Sequence, residues 1–302
     1  MKIQPTMMNE YALYIGPKTR VLNFFRRIFT IPFLEKILVR QIDRSQFILW
    51  RKLVPPDYLY KKGSVRRTKI NGVEFLLDIS NVVEHLVYYR IAPENFKPVE
   101  EKLRQAAIVF DVGANIGSTA LFFASKNPRA QIFSFEPHPD TYQKARTNIQ
   151  LNAFDKIHLF KQGLGDVKGS KKLYQVIENN PGMNRIMPGD YAYPFTWVEI
   201  ITLDDFCREH GLSHIDFLKI DVEGFEYCVL TGGKNIISQS HPVIYLELYD
   251  HGLKKNGYSA SALISLLLQM GYNRITNAYT LSPVNENTDL TDCDFDIIAE
   301  KA

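Results

Sequence analysis

Five carboxylates stand where a chain of this kind can do chemistry. Asp111 and Glu136 follow two apolar runs, 108–110 and 131–135, and lie 25 positions apart; Asp221, Glu223 and Glu247 follow two more, 215–220 and 243–246. A carboxylate at the end of a buried strand can accept both hydroxyls of a ribose, draw a proton from an alcohol or hold a hard cation. Asp111-Val-Gly-Ala-Asn-Ile-Gly117 sets Gly113 and Gly117 where a strand must turn into a helix. Glycine there lets the backbone approach a ligand, and the free amides of the helix start favour an anionic group.

The spacing alone leaves the ligand open. A dinucleotide turn reads G-x-G-x-x-G, whereas Asn115 occupies the place of the middle glycine and costs a pyrophosphate its closest backbone approach. S-adenosylmethionine has no phosphate and needs a ribose acceptor, an adenine slot and a seat for its methionine end. A dinucleotide, S-adenosylmethionine and a purely structural turn all fit the glycines taken by themselves.

These residues need a scaffold that alternates strand and helix, and the sequence supplies one. Strands are expected at 108–110, 132–135, 157–160, 197–201, 215–220, 243–246, 272–275 and 295–299, with helices between most of them, which implies a parallel, doubly wound α/β sheet. Asn71-Gly72 marks a hairpin between 68–70 and 74–77, Pro139 suits a helix first turn, and residues 178–190 read as a polar loop. Residues 1–70 read as a separate extension of short helices ending near Pro55-Pro56, and 71–302 as one domain.

The net charge of +3 conceals a segregation. Residues 1–70 carry 15 Lys or Arg against 4 acids, and the remainder carries 21 against 29, so a basic arm precedes an acidic body. Phe24-Phe25-Arg26-Arg27-Ile28-Phe29 interleaves aromatics with charge, which suits an anionic membrane surface, packing on the acidic body or a second copy of the chain in a homo-oligomer. No nucleic-acid recognition motif accompanies the basic residues, and no apolar run is long enough to span a membrane. Three cysteines at irregular spacing suit reduced thiols and a cytoplasmic location, with peripheral membrane contact through residues 1–70 left open.

The motifs together resemble a known family. Residues 109–117, Phe135-Glu-Pro-His138, Gly163-Leu-Gly-Asp166 and above all Leu218-Lys-Ile-Asp-Val-Glu-Gly224 are similar, in order and spacing, to the FkbM family of S-adenosylmethionine-dependent methyltransferases over about residues 80 to 300. The resemblance implies a class I methyltransferase fold, a Rossmann-like, mostly parallel seven-stranded sheet whose last strand is antiparallel. It also implies O-methylation of a hydroxylated small molecule or glycan. Carried over, Asp111, Gly113, Asn115 and Gly117 would bound the methionine end and Glu136 would hold the ribose. Gly165 and Asp166 would border the adenine, and Asp221 would close the pocket under the sulfonium.

Methyl transfer to an alcohol is an in-line displacement that needs one proton removed. Glu247 is the foremost base, since burial at the end of an apolar strand would raise its pKa; Asp221 and His85 are further catalytic candidates, and His138 is another possible base. Tyr88, Tyr89 and Asn184 offer the aromatic faces and amide that suit an acceptor sugar. A divalent metal on Asp221, Glu223 and Glu247 is conceivable, but the order of these residues assigns no metal site. Lys219, on the strand before Asp221, is expected to face away from the ligand and to be structural. Two other functions stay in view, an NAD-dependent oxidoreductase and an inactive, methyltransferase-like binding protein at a membrane.

Overall fold

The computed structural model describes residues 16–44, 48–91, 96–177 and 180–301. The chain forms two compact units, the first comprising residues 1–68, 76–92 and 177–180 and the second 69–75, 93–176 and 181–302.

Helices α1 (Pro17–Arg26), α2 (Pro32–Arg44), α3 (Ile48–Lys52) and α4 (Val82–Tyr88) belong to the first unit. Leu38, Val39 and Ile42 recur on one side of α2 at helical spacing and are buried, as are Val54, Leu77 and Ile79. Glu35 lies fully buried on that side, and its charge is met by a bidentate bond from Arg66 (Nε to Oε1 2.7 Å, Nη2 to Oε2 3.1 Å). Asn81 starts α4 by accepting from the Val83 amide at 3.2 Å. Strands β1 (Val65–Ile70) and β2 (Val73–Asp78) pair as the expected hairpin, with Asn71 and Gly72 both at positive φ, 48° and 89°.

In the second unit α5 (Glu100–Gln105) precedes β3 (Ile108–Val112), α6 (Ser118–Lys126), β4 (Gln131–Phe135), α7 (Pro139–Gln150) and β5 (Ile157–Phe160). Short strands β6 (Gly163–Leu164), β7 (Gly169–Tyr174) and β8 (Arg185–Ile186) lead to β9 (Phe195–Ile201) and α8 (Leu203–Glu209). Then come β10 (Phe217–Ile220), α9 (Glu226–Gly232), α10 (Lys234–Ser240), β11 (Val243–Tyr249), α11 (Asp250–Lys255), α12 (Ala260–Gln269), β12 (Arg274–Asn277) and β13 (Asp294–Glu300).

Seven strands form one sheet in the order β12-β13-β11-β10-β3-β4-β5. The sheet is mixed: β11, β10, β3, β4 and β5 pair parallel in succession, while β13 runs antiparallel to both β11 and β12. Its central strands are apolar on both faces, as helices on both sides require. Phe110, Phe133 and Phe135 pack against Phe206 of α8 on one side, while Val109, Ile132 and Phe217 pack against Phe123 of α6 on the other. The strand expected at 197–201 is longer and lies elsewhere, in a four-stranded sheet β6-β9-β7-β8. Its antiparallel partner Gly169–Tyr174 escapes sequence reading because GSKKLY has no apolar alternation and only its last two residues are buried. The polar stretch 178–190 likewise holds β8, whose Arg185 and Ile186 are buried.

Candidate active site

The ends of β3 and β4 build the first half of the site. Gly113 and Ala114 donate their amides to the Phe135 carbonyl (3.1 and 2.9 Å), so the turn after β3 folds over the end of β4. Gly113 sits at φ 83°, and a Cβ there would overlap the Asp221 carbonyl oxygen. Only glycine lets the two strand-end loops meet. Asn115 (φ 48°) and Gly117 (φ 82°) complete the turn, and Gly117 caps α6. Glu136, buried, accepts one bond on each carboxylate oxygen, from the Asn115 amide (3.0 Å) and the His138 amide (2.9 Å). Each oxygen keeps acceptor capacity for a ligand hydroxyl. Burial outweighs those two amides and lifts its pKa to about 7.

The loop after β10 builds the second half. Asp221 takes its amide to the Val112 carbonyl at 3.1 Å, and Glu226, wholly buried, folds the loop by accepting from the Val222 and Gly224 amides (3.1 and 3.0 Å). Asp221, Glu223 and Glu247 each bring one carboxylate oxygen within 4.8 Å of the others. Glu247 lies inside β11, not at its end, opposite Asp296 of β13, and its buried Oε2 has no hydrogen-bond partner among the described residues. Burial first, then the charges of Asp221 and Glu223, hold the Glu247 pKa well above the ordinary glutamate range. Burial, with the charge of Asp221 behind it, lifts Glu223 to about 8 and Glu226 to about 7.

Two cations temper this acidity, and sequence reading misplaced one and missed the other. Lys219 does not face away from Asp221. Residues two apart on a strand share a face, and Lys219 Nζ lies 3.2 Å from Asp221 Oδ2, 3.5 Å from Asp111 Oδ1 and 3.0 Å from the Gly113 carbonyl. The alternation itself carried that information. Arg185 is wholly buried; Nη2 donates to Glu223 Oε2 at 3.2 Å while Nη1 has no partner among the described residues. Nothing in the polar loop that carries it distinguishes this arginine from a solvated one. Among the described residues its neighbour Asn184 keeps a buried, unpartnered Oδ1, as Asp166 does after β6 and Asn115 in the glycine turn. Gly165, between β6 and Asp166, donates its amide to the Ile201 carbonyl at 3.1 Å.

His85, Tyr88 and Tyr89 belong to the first unit, where each is buried and already engaged. His85 Nε2 meets the Pro55 carbonyl at 2.7 Å, the Tyr88 hydroxyl donates to Glu35 Oε1 at 2.8 Å, and the Tyr89 and Tyr60 hydroxyls share a 2.5 Å bond. Burial lowers the His85 pKa. His138 starts α7, and its pKa is likewise lowered by burial.

The raised carboxylates make stability depend on pH. A group whose folded pKa exceeds its unfolded value stabilises the fold below the unfolded pKa, and that contribution disappears as pH rises through the folded pKa. For Glu136, Glu226 and Glu223 the window runs from about 4.5 to about 8. The ligand-free protein is therefore expected to melt at least roughly 4 °C lower at pH 8.5 than at pH 5.5. Scanning calorimetry with no fall between those values would show that the acids are better solvated than the geometry implies.

Comparison with known proteins identifies the family. The FkbM methyltransferase domain model matches residues 111–274, more than half of the chain and from Asp111 through Glu247. The 2-O-methyltransferase NoeI of Sinorhizobium fredii is 30% identical over 174 residues, which cover 53% of this chain and 70% of that one. The hexuronic acid methyltransferase AglP of Haloferax volcanii is 26% identical over 149 residues, covering 49% and 59%. The crystal structure of the methyltransferase FkbM from Methylobacillus flagellatus KT, 14% identical with a TM-score of 0.43, covers 91% of this chain and 62% of its own. The match sets aside the oxidoreductase that the glycine spacing had left open, because it includes both the Asn115 turn and the loop after β10. The chain belongs to the FkbM family of methyltransferases.

Proposed function

We propose that this protein transfers a methyl group from S-adenosylmethionine to a hydroxyl of a glycan or other hydroxylated small molecule, with Glu247 as general base. The observation that carries the reading is the buried Glu247 Oε2, without a partner among the described residues and beside Asp221 and Glu223. An acid held above its usual pKa next to an open acceptor position suits proton removal from an alcohol. Asp111, Gly113, Asn115 and Gly117 would receive the methionine end, and Glu136 the two ribose hydroxyls. Asp166 Oδ1, beside Gly165, would accept from the adenine amine. Bound S-adenosylmethionine supplies the electrophilic methyl. The surplus of buried carboxylates around Asp221 favours its positive sulfonium, and that positive charge in turn favours the ionised, basic form of Glu247.

Arg185 Nη1 and Asn184 Oδ1 are the donor and acceptor best placed to meet the oxygens of the methyl acceptor, since both are buried and without a partner among the described residues. The activity test is direct: incubate the protein with S-adenosylmethionine and a panel of methyl glycosides and hydroxylated metabolites, and read the gain of one CH2 by mass spectrometry. No methylated product together with no affinity for S-adenosylhomocysteine would return the protein to the inactive, binding-only class. The carboxylate triad would also suit a divalent cation. Activity lost in EDTA and restored by Mg2+ would give Glu247 to the metal in place of the proton.

Glu136 gives a separate test. Glu136→Ala is expected to weaken S-adenosylhomocysteine binding by about 1.5 to 3 kcal/mol, the range for a lost charge-assisted hydrogen bond. Titration calorimetry showing wild-type affinity would take Glu136 off the ribose.

A further inference from the structure

The first unit buries a core of its own, yet α1 and one side of α2 turn apolar residues outward. In α1 the polar Asn23 is buried, its amide donating to the Tyr58 hydroxyl at 2.6 Å, and Arg26 folds inward with Nε on the Lys52 carbonyl at 2.8 Å. Val21, Phe24 and Phe25 recur at i, i+3 and i+4, on the side of α1 away from Asn23, and Ile28 follows in the 3-10 turn Arg27–Thr30. They are 62, 72, 60 and 53% exposed. The pattern continues in α2, where Phe33 (72%) and Ile37 lie exposed on the side away from the buried Leu38, Val39 and Ile42. A water-facing helix normally reverses this arrangement, and exposed apolar helix faces of this kind mark an interaction site.

Charge identifies the partner. Residues 16–44 carry Lys18, Arg20, Arg26, Arg27, Lys36, Arg40 and Arg44 against Glu35 and Asp43, so 7 − 2 = +5. The two acids are spent within the unit, Glu35 on Arg66 and Asp43 on Arg90. A symmetric dimer through this face would bring like cations together, because a two-fold interface apposes each patch to itself. Phenylalanines flanked by lysine and arginine suit the headgroup boundary of an anionic bilayer, where rings enter the acyl edge and cations meet phosphates. Among the described residues no helix is long and apolar enough to cross a membrane, so contact here means lying on the surface.

We infer that the α1–α2 face docks the protein on an anionic lipid surface. Full-length protein is expected to sediment with phosphatidylcholine vesicles containing about 30 mol% phosphatidylglycerol, and to be released as salt rises from about 0.1 to 0.5 M. Phe24→Ser/Phe33→Ser, at two exposed positions, is expected to cut that partition about tenfold or more. Its melting temperature and S-adenosylhomocysteine affinity should not change, and the latter readout keeps docking separable from catalysis. Three results would overturn the inference: equal sedimentation with pure phosphatidylcholine or none with the anionic vesicles, wild-type partition by the double variant, or a dimer in velocity sedimentation that the double variant dissociates.

Discussion

Glu247→Gln is expected to lower kcat about 10²- to 10⁴-fold while leaving the affinity for S-adenosylmethionine unchanged. Glutamine keeps the volume of the side chain and one carbonyl acceptor, so the packing of β11 between β10 and β13 is preserved and the change falls on proton removal. Wild-type kcat should rise with pH along a limb set by the ionisation of Glu247, which burial, Asp221 and Glu223 resist and the bound sulfonium favours. In the variant that limb disappears. Stopped assays across pH 5.5 to 9 with titration calorimetry of the donor separate the two effects. A near-wild-type rate with an unmoved limb would leave Glu247 structural and pass the role of base to Asp221 or Glu223, the two acids within reach.

Much of this site was legible because its demands are local. A strand that ends in a tight turn needs glycine at Gly113, and the need is written in one residue. Glu136 and Asp221 follow short apolar runs, so their positions at strand ends could be read from hydrophobic patterning. What resisted reading depends on residues distant in sequence. Arg185 and Glu223 are 38 positions apart and meet only because β8 joins a second sheet through β7, which lacks an apolar rhythm. Lys219 was misread for a simpler reason, a miscounted face, since strand alternation puts it on the side of Asp221. The outward apolar residues of α1 and α2 have ordinary helical spacing. Periodicity shows that a helix has an apolar side, and the fold alone decides whether that side meets core or solvent.

Lys219→Met is expected to cost about 3 to 5 kcal/mol of stability, a fall in melting temperature of roughly 6 to 20 °C. Lys219 and Asp111 are cross-strand neighbours on β10 and β3, 2% and 0% exposed, and the methionine would leave Asp111 buried without its cation. Burial already raises the Asp111 pKa, and Lys219 is the largest influence holding it down. In the variant that pKa climbs further, so the fold is least impaired at low pH, where Asp111 takes a proton, and the deficit widens as pH rises from 5.5 to 8. Asp111→Asn in the Lys219→Met background should recover part of the loss, because it removes the unpaired charge at nearly constant shape. Simple additivity of the two substitutions would deny the pairing. The ammonium also bonds the Gly113 carbonyl, so the glycine turn after β3 and the acid loop after β10 are tied by one side chain. Donor affinity should therefore fall with stability, and calorimetry at a temperature where the variant is folded would show it. A melting temperature within about 2 °C of wild type would mean that water replaces the ammonium between the two loops.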